Sequence, residues 1–174
     1  MKNKLKRAAF SLFSQKGSSV SMAEIAEDVG IKKPSIYNHY VNKDDLLSIV
    51  IDEEVNRFFD TQLHALEKSK GEASEERLRK MFYSIMTYYN DYEKLRFWRQ
   101  ILVMDSDELQ SKTREIIRVR ETELYRNAFV ILGDIIGDEE GQEVQMAYLQ
   151  TLVALIQGTL DGILLYHQSF DKNI

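Results

Sequence analysis

Leu5, Ala8, Ala9, Leu12 and Phe13 recur at i, i+3, i+4, i+7 and i+8, with Lys, Arg, Ser and Phe10 between them. That spacing predicts a first helix with one apolar face. It should stop at Gly17, a residue suited to the left-handed backbone past a helix end, with Ser18 and Ser19 as a short connection. Ser21-Met22-Ala23-Glu24 has the form of a capping box, in which serine and glutamate each satisfy a backbone N–H of the other. Met22, Ile25, Ala26 and Val29 supply the buried face of that second helix, and Gly30 ends it after about two turns. Ile31 plugs the same core. A third helix follows at once, because Pro34 suits a first helical position, where its missing N–H is not needed. Ile36 and Tyr40 share one face, while Ser35, Tyr37, Asn38 and His39 lie off it and point outward beside Lys32 and Lys33. Asn42 reads as the cap of a fourth helix that begins at Lys43.

Beyond Asp44 the pattern stays helical. Leu46, Leu47, Val50, Ile51, Val55, Phe58, Phe59, Leu63 and Leu66 form one stripe that runs to Lys70-Gly71. Ser74, with Glu75 and Glu76 behind it, predicts the cap of the next helix, which carries Leu78, Met81, Phe82, Ile85, Met86 and Tyr89. Tyr92 to Met104 predicts another. Asp105-Ser106-Asp107 separates it from a long helix over about 107–136, Gly137-Asp138 breaks that one, and about 140–169 is the last. The expected fold is all-α, with a three-helix head over 1–46 joined to a larger helical body over 47–174.

Composition supports this picture. The chain has 174 residues, enough for one generous domain or a small module on a larger one. One proline and eight glycines suit long helices better than many hairpins. The absence of cysteine excludes disulfides, thiolate metal sites and cysteine nucleophiles. The net charge of −5 is uneven: residues 1–43 carry eight Lys/Arg and three acids, whereas 44–174 carry 15 basic and 25 acidic residues. A basic head on an acidic body points the head, and not the body, at a polyanion. No apolar run approaches the roughly 18 residues that cross a bilayer, so no membrane partner is expected. Met1-Lys2-Asn3-Lys4 followed by Ala8-Ala9-Phe10-Ser11-Leu12-Phe13 faintly imitates a secretory signal, but its helical spacing makes it the first helix and cytoplasmic residence the expectation.

Catalytic chemistry finds no support. The histidines at 39, 64 and 167 are preceded three positions earlier by Ile36, Thr61 and Leu164, so the Glu-x-x-His pair of di-iron bundles is absent. There is no P-loop, no Gly-x-Gly-x-x-Gly and no His/Cys cluster. No enzyme activity, catalytic residue, metal or cofactor is expected.

Two short helices joined by a glycine turn, with Ala26 at the close crossing and Ile31 after the turn, form a helix-turn-helix pattern. The third helix is short enough to enter a major groove and offers hydrogen-bonding side chains there. Lysines and helix N-termini can hold phosphates, Lys43 among them. Taken singly, Tyr37 could instead pack on Val41, His39 could be an ordinary surface histidine and Lys43 a solvated charge.

The stretch Ser21-Met22-Ala23-Glu24-Ile25-Ala26-Glu27-Asp28-Val29-Gly30-Ile31-Lys32-Lys33-Pro34-Ser35-Ile36-Tyr37-Asn38-His39-Tyr40-Val41-Asn42-Lys43-Asp44-Asp45-Leu46-Leu47 resembles the signature of the TetR family of bacterial transcriptional regulators, and Ala8-Ala9, Phe13 and Gly17 match that family's first helix. The resemblance covers about residues 4–50. It implies an all-helical homodimer that acts on promoters, with double-stranded operator DNA as one partner and a small-molecule effector as another. Carried over by position, it implies that Lys33, Ser35 and Asn38 meet base edges and that Ser21, Tyr37, His39 and Lys43 meet phosphates. Lys32 stands where many members carry serine and adds charge to the DNA side. The basic arm before Arg7 is short, with only Lys2, Lys4 and Lys6.

In the body, Leu149, Leu152, Val153, Ile156, Leu160, Ile163 and Leu164 line the last helix, and Gly158 and Gly162 would let another helix approach closely. The last two helices are therefore the dimer candidates, against close packing inside one chain. The aromatic and methionine residues of the middle helices supply either ordinary core or the lining of an effector pocket, with Phe82, Met86, Tyr89, Phe97, Trp98, Ile101 and Tyr125 as candidates. Arg96 and Arg99 could bind an acidic ligand or pair with Glu93; Asp161 lies in an apolar helix, and His167 reads as a surface or interface residue. The expected function is a ligand-responsive regulator, a repressor that binds a near-palindromic operator as a homodimer. The alternative is a helical ligand-binding or scaffolding protein whose basic head docks on protein.

Overall fold

The structure is a computed structural model that describes residues 1–104, 107–137 and 141–170, the side chains at 107, 157, 160 and 163–170 excepted. The described residues form eight α-helices: α1 Lys2–Lys16, α2 Met22–Val29, α3 Lys33–Ile36, α4 Lys43–Lys68, α5 Ser74–Tyr89, α6 Tyr92–Leu102, α7 Asp107–Ile136 and α8 Gly141–Phe170. A single 3-10 turn, Gly17–Ser19, links α1 to α2. Among the described residues there is no strand, so the all-α expectation holds. The expected separators Asp105-Ser106 and Asp138 lie outside the described residues, as do the side chains of Leu160, Ile163, Leu164 and His167.

Two compact units are present. The first joins Met1–Phe58 to Asp91–Val119. It therefore holds α1, α2, α3, the first part of α4, α6 and the start of α7. Leu5, Ala9, Phe13, Ile25, Ile36, Leu46, Leu47, Ile51 and Phe97 are its fully buried centre. Phe97 of α6 packs its ring 5.1 Å from Phe10 and 5.6 Å from Phe13, which seats α6 on α1. Trp98 meets Phe58 edge-on at 5.1 Å. Each aromatic pair of this kind contributes about 0.5–1.5 kcal/mol beyond its buried area.

The second unit joins Phe59–Asn90 to Arg120–Ile174. Leu66, Met81, Ile85, Tyr88, Leu124, Ala128, Ile131, Leu132 and Leu149 are buried in it. So are the polar side chains of Gln62, Ser69 and Gln145. The Ser69 hydroxyl closes on its own helix end, donating to the carbonyls of Ala65 and Leu66 at 3.0 Å.

Two expectations of local structure need correction. Ser74 does not cap α5: Ala73 occupies the N-cap without a side-chain bond. The Ser74 hydroxyl donates instead to Asp134 Oδ2 at 3.0 Å, a partner 60 residues away that local spacing could not reveal. Gly17 does follow α1, but at φ 61° and ψ −145° it lies outside the left-handed helical well. That conformation is essentially confined to glycine.

Candidate nucleic-acid interface

The interface candidates are built on α2, α3 and the start of α4. Ser21 caps α2: the Glu24 N–H donates to Ser21 Oγ at 3.2 Å, and the Ser21 N–H donates to Glu24 Oε2 at 2.8 Å. Lys16 Nζ donates to the other carboxylate oxygen at 2.6 Å. The Lys16 hydrogen bond, followed by those from Ser21, lowers the Glu24 carboxyl from 4.5 to about 2. At the far end Gly30 adopts the left-handed conformation, φ 76° and ψ 32°, and its N–H closes on Ala26 and Glu27. The Ile31 N–H also reaches the Ala26 carbonyl, at 2.9 Å. The chain therefore turns sharply with its helix carbonyls satisfied.

α3 is one turn long, with Pro34 in that turn. The His39 and Tyr40 N–H groups both donate to the Ile36 carbonyl, at 2.9 and 3.2 Å, so residues 37–39 continue as a turn. Ile36 is fully buried and Tyr40 nearly so. Burial raises the Tyr40 hydroxyl above its ordinary pKa. Around these two anchors the polar side faces out: Lys32, Lys33, Tyr37 and Asn38 are exposed, and Ser35 and His39 half-buried. Val41 is 81% exposed, so it does not shelter Tyr37, which is itself 47% exposed. This exposed valine escaped sequence reasoning because it directly follows a buried aromatic and looks like core.

Asn42 caps α4 as expected, accepting the Asp45 N–H at 2.8 Å. Asp45 in turn accepts the Val41 N–H at 3.0 Å, which fixes the exit from the reading segment. Lys43 has an unexpected partner: its Nζ donates to the Ser18 carbonyl at 2.6 Å. An ammonium carries three N–H donors, so this contact leaves the group further bonding capacity. The expected DNA-binding residues thus share one stretch of the first unit, Ser21 at its start and Lys43 at its end.

The candidate pocket residues fall in different units. Phe97, Trp98 and Ile101 belong to the first, where Phe97 and Ile101 are buried. Phe82, Met86, Tyr89 and Tyr125 belong to the second. There Phe82 is 48% exposed. Burial pushes the Tyr89 and Tyr125 hydroxyls upward, and the same desolvation raises Glu121. Arg96 lies over the Tyr92 ring, 5.0 Å from its centroid.

The candidate interface residues on α8 sort into two faces. Leu149 is buried, and Leu152 and Ile156 are half-buried. Gly158 and Gly162 are exposed, and a Cβ at either would meet nothing within 4 Å. They share a stripe with Tyr148, Thr151 and Leu155, spaced alternately by three and four residues, and all are exposed. Sequence reasoning missed Tyr148 and Leu155 because apolar residues occur on both faces of this helix. Asp161 is exposed.

Residues 5–49 match the family described as bacterial regulatory proteins, tetR family. The biofilm operon icaADBC HTH-type negative transcriptional regulator IcaR of Staphylococcus epidermidis is 38% identical over 61 residues. That alignment spans 34% of this chain and 33% of IcaR, about a third of each. The fold extends further. The fatty acid degradation regulator FadR of Bacillus halodurans superposes with a TM-score of 0.68 at 22% identity, over 99% of this chain and 86% of that one. A TetR-like transcriptional regulator from Rhodococcus sp. RHA1 superposes with a TM-score of 0.68 at 21% identity, over 92% and 84%. The N-terminal segment, residues 5–49, is thus similar to the tetR family of bacterial regulatory proteins, and the fold of the chain is similar to those solved regulators.

Proposed function

We propose that this protein is a DNA-binding transcriptional regulator, a repressor, that holds a near-palindromic operator as a homodimer and is released by a small-molecule effector. One observation carries the reading: Lys32, Lys33, Tyr37 and Asn38 stand exposed around a reading turn whose Ile36 and Tyr40 are buried. Burying the apolar side of a short segment leaves its hydrogen-bonding side for a groove. In this reading Lys33, Ser35 and Asn38 meet base edges, while Ser21, Tyr37, His39 and Lys43 meet phosphates and Lys32 adds charge. Residues 1–46 form the DNA-binding domain and 47–174 the ligand-binding and dimerisation domain. Two heads spaced by about 34–36 Å would reach successive major grooves. The exposed stripe on α8 supports pairing of two chains. An effector that favours the form unable to span both half-sites shifts the population off DNA. Repression, in place of activation, leans on IcaR, which is a negative regulator.

The test is binding to duplexes selected by the protein from a random-sequence pool, followed by gel shift across a salt series. The expected result is a recovered motif with near two-fold symmetry and affinity that falls steeply with salt, because bound lysines release counterions. Recovery of no motif, or binding indifferent to salt, overturns the reading.

A further inference from the structure

The turn Gly17–Ser19 is held by residues far from it in the chain. It is buried at Gly17, and the Gly17 backbone conformation is closed to side chains. A Cβ built there would lie 2.5 Å from Gln100 Oε1, so the amide of Gln100 occupies the space a side chain would need. Gln100 lies one turn along α6 from Phe97, which anchors that helix on Phe10 and Phe13. From α4, Lys43 Nζ donates to the carbonyl of Ser18, the next residue in the turn. The turn, Lys43, Gln100, Val103 and Met104 border one open cleft. Within the turn, Ser19 Oγ donates to the Lys16 carbonyl at 2.7 Å and the Val20 N–H reaches Gly17 at 3.4 Å.

The consequence is geometric. Val20 and Ser21 follow the turn directly, so its position sets where α2 begins. Lys43 is the first residue of α4, directly after the reading segment and its exit. A shift of the turn therefore moves Ser21 and Lys43 relative to each other, and these are the two ends of the proposed DNA-contacting stretch.

We propose that Gln100, outside the helix-turn-helix, is a positioning residue for DNA binding that acts through the Gly17–Ser19 turn. It touches no DNA; it holds the turn against which both ends of the contact surface are set. This inference rests on the reading of the protein as a DNA binder.

The experiment compares full-length wild type, Gln100→Ala and Gln100→Met on one duplex that the wild type selects from a random pool. Salt series, thermal unfolding and oligomeric state are measured for each. Gln100→Ala is expected to lose about tenfold in affinity, within the range by which such indirect contacts act. The slope of log affinity against log salt should stay at the wild-type value, because no phosphate contact is lost. Gln100→Met, which fills the same space without the amide, should restore most of the affinity and keeps the comparison valid if the alanine variant unfolds. Wild-type affinity in Gln100→Ala overturns the proposal, and so does a reduced salt slope, which would mean direct contact with DNA. A methionine variant as weak as a folded alanine variant also overturns it. Failure of the wild type to select any duplex overturns the DNA-binding reading itself, a result distinct from the others.

Discussion

At the scale of single residues, the candidate interface separates what anchors from what reads. Ile36 and Tyr40 are buried, and Asn38 is exposed between them. Asn38→Ala should therefore leave folding alone and change which base is preferred at one position, at a cost of about 1–3 kcal/mol on the preferred duplex. Lys43→Ala should weaken every duplex alike. Competition binding against single-base variants of the selected duplex separates the two, and equal losses on all variants for both would refute the role of Asn38. Most of this pattern was legible in the sequence, because the spacing of Ile36 and Tyr40 and the position of Pro34 are local signals. The bond from Lys43 to the Ser18 carbonyl was not legible, since its partners lie 25 residues apart and neither residue type announces the other.

At the scale of elements, the short helix α2 draws stability from its buried face and from both of its ends. Ser21→Ala removes one half of the capping box and should cost about 1 kcal/mol, measured by urea unfolding. Gly30→Ala should cost a similar amount, about 1–2 kcal/mol, purely from the left-handed backbone. A Cβ there meets nothing within 4 Å, so no clash adds to it. Glu24 gives α2 a dependence on acid. Its folded pKa of about 2 lies below the ordinary 4.5, so its contribution is complete above 4.5 and disappears as pH falls toward 2. Over that window the urea midpoint of Glu24→Gln should fall less than that of wild type; parallel decline would show that Glu24 is not the group responsible. Serine before acids, glycine after an apolar run and proline near a start are all visible in one dimension; they mark both ends of α2 and the start of α4, whereas Pro34, expected at the first position of α3, stands second behind Lys33, and α3 closes at Ile36. At Ser74 the same signal failed, because the hydroxyl has a better acceptor in Asp134, and tertiary partners override local ones.

At the scale of the molecule, the sequence conveyed helix order and the basic head but not how helices sort into units. Phe97 illustrates why. Its aromatic character fitted ordinary core better than a pocket lining without saying which core, and only its packing on Phe10 and Phe13 places it in the core of the first unit. On α8, likewise, periodicity could not tell the face bearing Leu149 from the face bearing Leu155. Leu155 is 63% exposed in the single chain. If two chains pair through this stripe as proposed, Leu155→Lys should leave the chain folded but monomeric in analytical ultracentrifugation, and that monomer should lose most of the affinity for the selected duplex. A variant that stays dimeric would exclude this stripe from the interface. The one-turn length of α3 carries a last consequence. The reading segment is held on the protein through the inward Ile36 and Tyr40, so the exposed Lys33 and Asn38 can be exchanged with little penalty to the fold. If these side chains read bases as proposed, descendants of such a chain can acquire new target sequences through single codon changes, while the scaffold beneath stays as it is.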